Sequence, residues 1–361
     1  MDKNINISLI INQLTNNRKK MNIIHEDNNE DNNEDNNEKT QTNIALYDFF
    51  SANQIKISEI LMKIPYFTNY YDIFVDYDFI DISKIGEKVI ENVDSDLKYI
   101  VFNYNYEKRI GFRNFLFNLS FGNKKFIFNI LNTYTILVDS LIKLNINGAC
   151  FFELCSENIV FSQNSRPFLK NFSNSLIISH LNTSYIQNIV KNIDNYTYKP
   201  LEIHVLFYLI ANDEQTLSLS FIELICGNYV KTMDILLLFS QNYRESYEKA
   251  CVETLKKYIN KPKLAIIADI LNYSQYWDNY SLSILYLHII GNISNFFSLK
   301  GTFMNKFTLL LIKNIHPNPL KRETLQETRE NYDKLFENAD WTFINDFSND
   351  KMKKLYDLLL N

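Results

Sequence analysis

A mixed α+β fold, with a few short strands early and a large helical half after them, is the class that the sequence predicts. Three observations carry it. The 361 residues include only 7 Gly and 6 Pro, which favours long helices over an all-β fold with many tight turns. Hydrophobic residues make up 46% of the chain and aromatic ones 14%, enough for a sizeable core. Apolar spacing is strand-like in short early runs and helical nearly everywhere after Pro200, a segregated rather than alternating order of elements.

Taken in order, residues 25–43 read HEDNNEDNNEDNNEKTQTN, with Glu-Asp-Asn-Asn recurring at a period of 4. So few apolar side chains cannot offset the entropy of ordering, so this tract is predicted to be disordered and the globular chain to begin near Leu46. Residues 53–64 place Ile57, Ile60, Leu61 and Ile64 on one helical face. The runs at 71–75, 78–82 and 98–104 read as strands, 112–119 and 124–145 as amphipathic helices, and 158–162 and 167–172 as strands again. A further helix is predicted at 243–259, within a long helical region.

Net charge is −5, from 37 basic and 42 acidic residues. The short basic runs at 17–20 and 351–354 lie near opposite ends and read as solvated faces, so no nucleic-acid partner is expected. Cys150 and Cys155 have no second Cys or His pair to complete a zinc site, so no metal is expected, and all four cysteines read as reduced thiols in a cytosolic-type compartment. The span 282–297 carries His288, Asn292 and Asn295 and is too short and polar to cross a bilayer. The N-terminus reads as no secretory signal, so a cytoplasmic location without a membrane partner is the expectation.

The stretch CFFELCSENIVF (150–161) can be laid against the kinase catalytic loop H-R-D-x-x-x-x-N. Glu153 stands at the Asp and Asn158 at the Asn, with Phe151 and Phe152 at the His and Arg. Next, LKNFSNS puts Asn171, Phe172 and Ser173 at Asp-Phe-Gly. YKPLE (198–202) matches Ala-Pro-Glu through Pro200 and Glu202, WDNYS (277–281) matches the start of the buried helix through Asp278, and HPNPLKR (316–322) supplies a late Arg322. With KYIVFNY (98–104) as last small-lobe strand and hinge, the chain resembles the protein kinases over roughly residues 50–340. In flavour it is similar to the divergent serine/threonine kinase-like proteins of large DNA viruses.

The resemblance implies a protein-kinase-like fold with a reduced small lobe and a large helical lobe. It divides the chain into a tail (1–45), a small lobe and hinge without its first three strands (46–104), a helical lobe (105–345) with a helical insertion at about 203–270, and a C-terminal helix (346–361). It also implies that the chemistry is degraded. Phosphoryl transfer needs a glycine-rich loop, a strand lysine, a metal-binding Asp and a catalytic Asp. No G-x-G-x-x-G occurs, Asn171 is a neutral amide, and Glu153 is longer by a methylene. Glu59, at the helix-Glu position, lacks its lysine and reads as a surface residue. Glu153 then reads as a loop carboxylate, Asn158 and Asn171 as degenerate metal positions that bond local backbone, and Phe172 as a core aromatic. The structural matches remain: Glu202 and Arg322 should form a buried ion pair and Asp278 should anchor the loop, while Arg329 should be exposed.

The expectation is a pseudokinase-type regulatory or interaction protein without a cofactor, engaging a protein partner through the helical lobe or insertion, in host cytoplasm or a virus factory if viral. One alternative is a weak or atypical serine/threonine kinase using ATP, Mg and Glu153. The other is an all-helical scaffold unrelated to kinases.

Overall fold

Strands β1 (Ile23–Ile24), β2 (Thr40–Leu46), β3 (Asp76–Ile80) and β4 (Tyr99–Asn105) form an antiparallel sheet in the order β1-β2-β4-β3. The computed structural model describes residues 23–24, 40–80, 97–105, 107–120, 125–191, 197–346 and 348–360. The fold is mixed α+β, so the all-helical alternative does not hold. The tract 25–43 needs a correction at its end: residues 40–43 belong to β2, where Thr40 pairs with Asn105 and Asn43 with Phe102. A polar strand can be held there because β4 pairs with its whole length and β1 with Gln41 and Thr42. Residues 25–39 lie outside the described residues.

Helix α1 (Phe49–Leu61) starts four residues before the predicted 53 because Asp48 caps it. The Asp48 carboxylate accepts the N–H groups of Phe50 and Ser51, and the Ser51 hydroxyl accepts that of Asp48, a reciprocal capping box. The predicted strand at 71–75 is not formed. Tyr71 makes one isolated bridge to Leu169, and pairing with β4 begins only at Asp76. A small core of Ile55, Phe74, Ile100 and Phe102 joins α1 to this sheet.

Beyond β4 come β5 (Ile110–Gly111), α2 (Phe112–Ser120) and α3 (Lys125–Ile146). Helix α3 is long and apolar enough to cross a membrane by length and composition, a candidate that the sequence reading placed at 282–297 instead. In the fold one face of α3 is core, with Tyr134, Leu137, Val138, Leu141 and Leu144 buried. Strands β6 (Ala149–Cys150), β7 (Ile159–Phe161), β8 (Pro167–Leu169) and β9 (Leu176–Ile177) follow. Strands β5, β7 and β8 form one small sheet, and β6 pairs with β9. The helical half holds α4 (Thr183–Val190), α5 (Leu201–Ala211), α6 (Leu219–Thr232), α7 (Gln241–Leu255), α8 (Lys263–Leu271), α9 (Trp277–Ser294), α10 (Phe303–Asn314), α11 (Leu325–Glu337) and α12 (Asn349–Leu360).

Helix α9 is buried on nearly every side, as expected of the central helix of a large core. The region 203–270 is built into this core. The Tyr229 hydroxyl meets those of Tyr280 at 2.6 Å and Tyr247 at 3.1 Å, and Tyr247 donates to the Ile315 carbonyl at 2.6 Å. Gly291 allows Leu238 to close over α9, since a Cβ there would lie 2.4 Å from its Cδ1.

The position of β2 gives a test. Thr42 pairs with both Ile23 and Asn103, and proline is excluded from such interior strand positions. Thr42→Pro should lower the melting temperature and raise amide exchange in β4. Unchanged exchange at residues 101–105 would show that β2 contributes nothing to the fold.

Candidate functional site

The turn after β6 is strained and heavily anchored. Phe152 has φ 66°, left-handed backbone that costs a bulky residue on the order of 1–3 kcal/mol. The Asp278 carboxylate, from the first turn of α9, accepts the N–H groups of Phe151 at 2.8 Å and Phe152 at 2.7 Å. The Lys199 ammonium donates to the Phe152 carbonyl and stands 4.2 Å from the centre of its ring. The Ser175 hydroxyl donates to the Phe151 carbonyl at 3.1 Å. Asp278 and Lys199 are 1% and 3% exposed, so each buried charge needs the other and the loop dipoles. Burial pushes the Asp278 carboxyl up against the pull of those two N–H groups, and burial pushes Lys199 down against the attraction of Glu153.

Glu153 follows, half-buried, with no hydrogen bond or ion pair to its carboxylate among the described residues. Asn158 turns inward: its amide donates to the Glu153 carbonyl at 2.9 Å, and its side-chain oxygen accepts the amide of Asn171 at 2.8 Å. Asn171 is itself left-handed (φ 63°), a conformation that Asn tolerates better than most residues. The two residues at the metal positions are thus bonded to each other. Magnesium favours carboxylate and phosphate oxygens. Two neutral amides, one with its oxygen already committed, do not fit it. Among the described residues no group of three or more His, Cys, Asp or Glu could hold a metal ion.

Phe172 is core, with its ring edge-on to Phe151 (5.1 Å) and Tyr71 (5.9 Å). The next residues are tied to α1 by a side chain that sequence reasoning missed. Buried Asn53 donates to the carbonyls of Ser173 (2.9 Å) and Ser175 (2.8 Å), and its oxygen accepts the Tyr185 hydroxyl at 2.7 Å. Asn53 lies one turn before Ile57 on the buried face, so a polar residue in the apolar stripe was its available signal. Glu59, by contrast, is exposed.

Glu202 and Arg322 meet in a buried two-point ion pair, with Nη1 to Oε1 at 2.6 Å and Nη2 to Oε2 at 3.0 Å. The rest of the guanidinium is also engaged: Nε donates to the His316 carbonyl and Nη2 to that of Pro317. Trp277 Nε1 donates to Glu202 Oε1 at 3.1 Å, and the guanidinium lies 5.0 Å from the Tyr280 ring centre. Arg329 departs from expectation. It pairs with Asp139 of α3 at 2.9 Å and with Asp333, so it joins two helices rather than lying free.

A cleft of about 480 Å³ opens between β2, the stretch after β4, and the ends of β7 and β8. Its lining is mostly polar. The Arg109 guanidinium lies 4.0 Å from the Phe168 ring centre, 2.9 Å from Glu107 and 3.7 Å from Asp72. Burial raises the Asp72 carboxyl, while Arg109 and Lys170 draw it down. Asn171 faces the same cleft, whereas Glu153 does not line it. Compared with known proteins, the chain matches no family model and no curated sequence.

Two predictions follow from the anchors. Removing one partner of a buried ion pair costs about 3–5 kcal/mol, so Arg322→Ala should unfold the protein or sharply lower its melting temperature. Arg322→Lys should recover only part, because an ammonium cannot reproduce the two-point fork. Lys321→Ala, at the exposed neighbour, is the control, and an equal drop there would sink the claim.

The second concerns acid. His316 is pushed below its ordinary value first by burial, then by Lys321 and Arg322, and its Nδ1 accepts the Asn318 N–H at 2.9 Å. A depressed histidine contributes stability that is full above the unfolded value of about 6.5 and is lost as pH falls through the lower folded value. Denaturation midpoints should therefore fall on acidification below about 6.5, and His316→Asn should flatten that part of the profile. An unaltered profile would remove His316 from the account.

Proposed function

We propose that the chain is a pseudokinase-type regulatory or interaction protein, built on a kinase-like scaffold and carrying out little or no phosphoryl transfer. The observation that carries this reading is the Asn158–Asn171 hydrogen bond, which commits two metal-position side chains to each other. The order of elements supports the scaffold. A small sheet with one helix leads through the stretch after β4 to a helical half, and β2 supplies a strand before α1 where none was expected. That strand, TQTNIAL, has no lysine to hold a phosphate. Glu202–Arg322 and Asp278 do the structural work that the resemblance implies for them.

A protein partner fits the helical region around 203–270, where Leu224, Leu237, Leu238 and Leu264 are exposed. A cytoplasmic setting, or a host cytoplasm or virus factory if the chain is viral, belongs to the same reading. The second reading, a weak serine/threonine kinase using ATP and Mg, draws on one feature: the Glu153 carboxylate has no hydrogen-bond partner among the described residues and could accept a proton.

A phosphotransfer assay separates the two. Purified protein should transfer no more phosphate from ATP and magnesium than Glu153→Ala does. Clear activity that disappears with that substitution would replace the first reading with the second.

A further inference from the structure

We propose that the cleft beside β2 binds a small polyhydroxylated phosphate ester, held without a metal by Lys108 and Lys170. The inference stands on the side chains of the cleft and does not rest on the kinase-like reading. Its volume, about 480 Å³, suits a small-molecule ligand. The charges sort themselves. Three cations and two carboxylates line it, and both carboxylates lie against the same guanidinium, Arg109. The ammonium groups of Lys108 and Lys170 make no ion pair or hydrogen bond among the described residues, and Lys170 acts on Asp72 only at longer range. Two ammonium groups without a close partner among those residues, on one cavity, suit phosphate, which lysine engages as a point charge.

The rest of the lining specifies what the phosphate is attached to. Gln41 and Asn43, which share one face of β2, and Asn105 also line the space, and side-chain amides carry donors and an acceptor that suit hydroxyl groups. A flat aromatic base has little to lie against. Val160 is the one aliphatic side chain in the lining, the Tyr104 hydroxyl is tied to Gln54 at 3.1 Å, and the Phe168 face is taken by Arg109. Both carboxylates lie on Nη2 of Arg109, while its Nε and Nη1 are shielded and have no hydrogen-bond partner among the described residues, which leaves two donors that a ligand oxygen could take. A sugar phosphate matches this arrangement better than a nucleotide does.

Isothermal titration of the full chain tests it, with glucose 6-phosphate, glucose, inorganic phosphate and ATP as probes, each in EDTA and in magnesium. Glucose 6-phosphate should bind in EDTA, more tightly than inorganic phosphate, and glucose should not bind measurably. Lys170→Gln should weaken glucose 6-phosphate by about tenfold or more. Lys108→Glu should do the same, and because Lys108 is exposed its effect cannot come from unfolding. Four outcomes overturn the proposal: no glucose 6-phosphate binding at millimolar concentration, unchanged affinity in Lys108→Glu, inorganic phosphate binding as tightly as the ester, or binding of ATP with magnesium alone. None bears on whether the protein transfers phosphate, which the Glu153→Ala comparison decides separately.

Discussion

Charge buried inside the helical half must be satisfied completely, and the first turn of α9 is where that constraint is met. Four consecutive residues there each hold something different. Trp277 donates to Glu202, Asp278 accepts from the backbone of the 151–152 turn, Asn279 donates to the Glu323 carbonyl, and Tyr280 lies beside the Arg322 guanidinium. One residue further, Ser281 donates to the Tyr198 carbonyl at 2.7 Å. A helix presents consecutive residues about 100° apart, so a single turn can reach in every direction only if it is buried all round. That explains why α9 lacks a polar face: its side chains are spent on joining segments that are distant in sequence, from 44 positions for the Asn279 hydrogen bond to 127 for that of Asp278 with Phe151.

The same turn makes backbone strain at Phe152 sustainable. Left-handed backbone at an aromatic residue persists only where its surroundings over-determine it. Here the residue is held from three sides, by Asp278 at its N–H, by Lys199 at its carbonyl, and by the packing of its ring. Asp278 and Lys199 hold the two peptide units that flank Phe152 with opposite charge, so each also offsets the burial of the other. Loss of either would leave a lone charge in the interior and release the turn together. Strain at Asn171 is cheaper, since Asn adopts that backbone at little cost, and the cross-bond to Asn158 fixes it.

How much of this was legible in the sequence depended on contrast. Glu202, Asp278 and Arg322 were legible through the motifs that the chain shares with the kinase pattern, and for Glu202 and Asp278 also because a charge in an apolar or aromatic stretch requires a partner. Helices α2 and α3 announced themselves through apolar spacing and were placed within a residue or two at each end. Strand β2 was hidden because Thr-Gln-Thr-Asn continues a polar repeat, and what orders it is the β4 backbone some sixty positions later, which no local pattern encodes. Asn53, Tyr185 and Lys199 were missed for a related reason. Each is an ordinary polar residue in a chain rich in them, and the partners of Asn53 lie 120 to 132 positions away. The cleft was least legible of all, since its walls come from five separate stretches of chain.

The distribution of charge around that cleft sets a final constraint on its chemistry. Where Asn171 lines the cleft its amide is neutral and hydrogen-bonded to Asn158 behind it, so that side chain does not attract a cation. The ionised groups are elsewhere, along 107–109 and at Asp72 and Lys170. Within that set Arg109 lies against both carboxylates, with its flat face on Phe168, so its one positive charge offsets one of the two negative charges and Lys170, which also acts on Asp72, helps to meet the other. Charge that is paired inside a wall contributes shape and rigidity, whereas unpaired charge contributes attraction, and in a partly desolvated cleft attraction is less screened than in bulk water. With three cations against two carboxylates, the described lining keeps one net positive charge. Chemistry that depends on bringing metal and phosphate together at Asn171 finds no electrostatic support in its neutral amide, and recognition of an anion by the cations of the lining does.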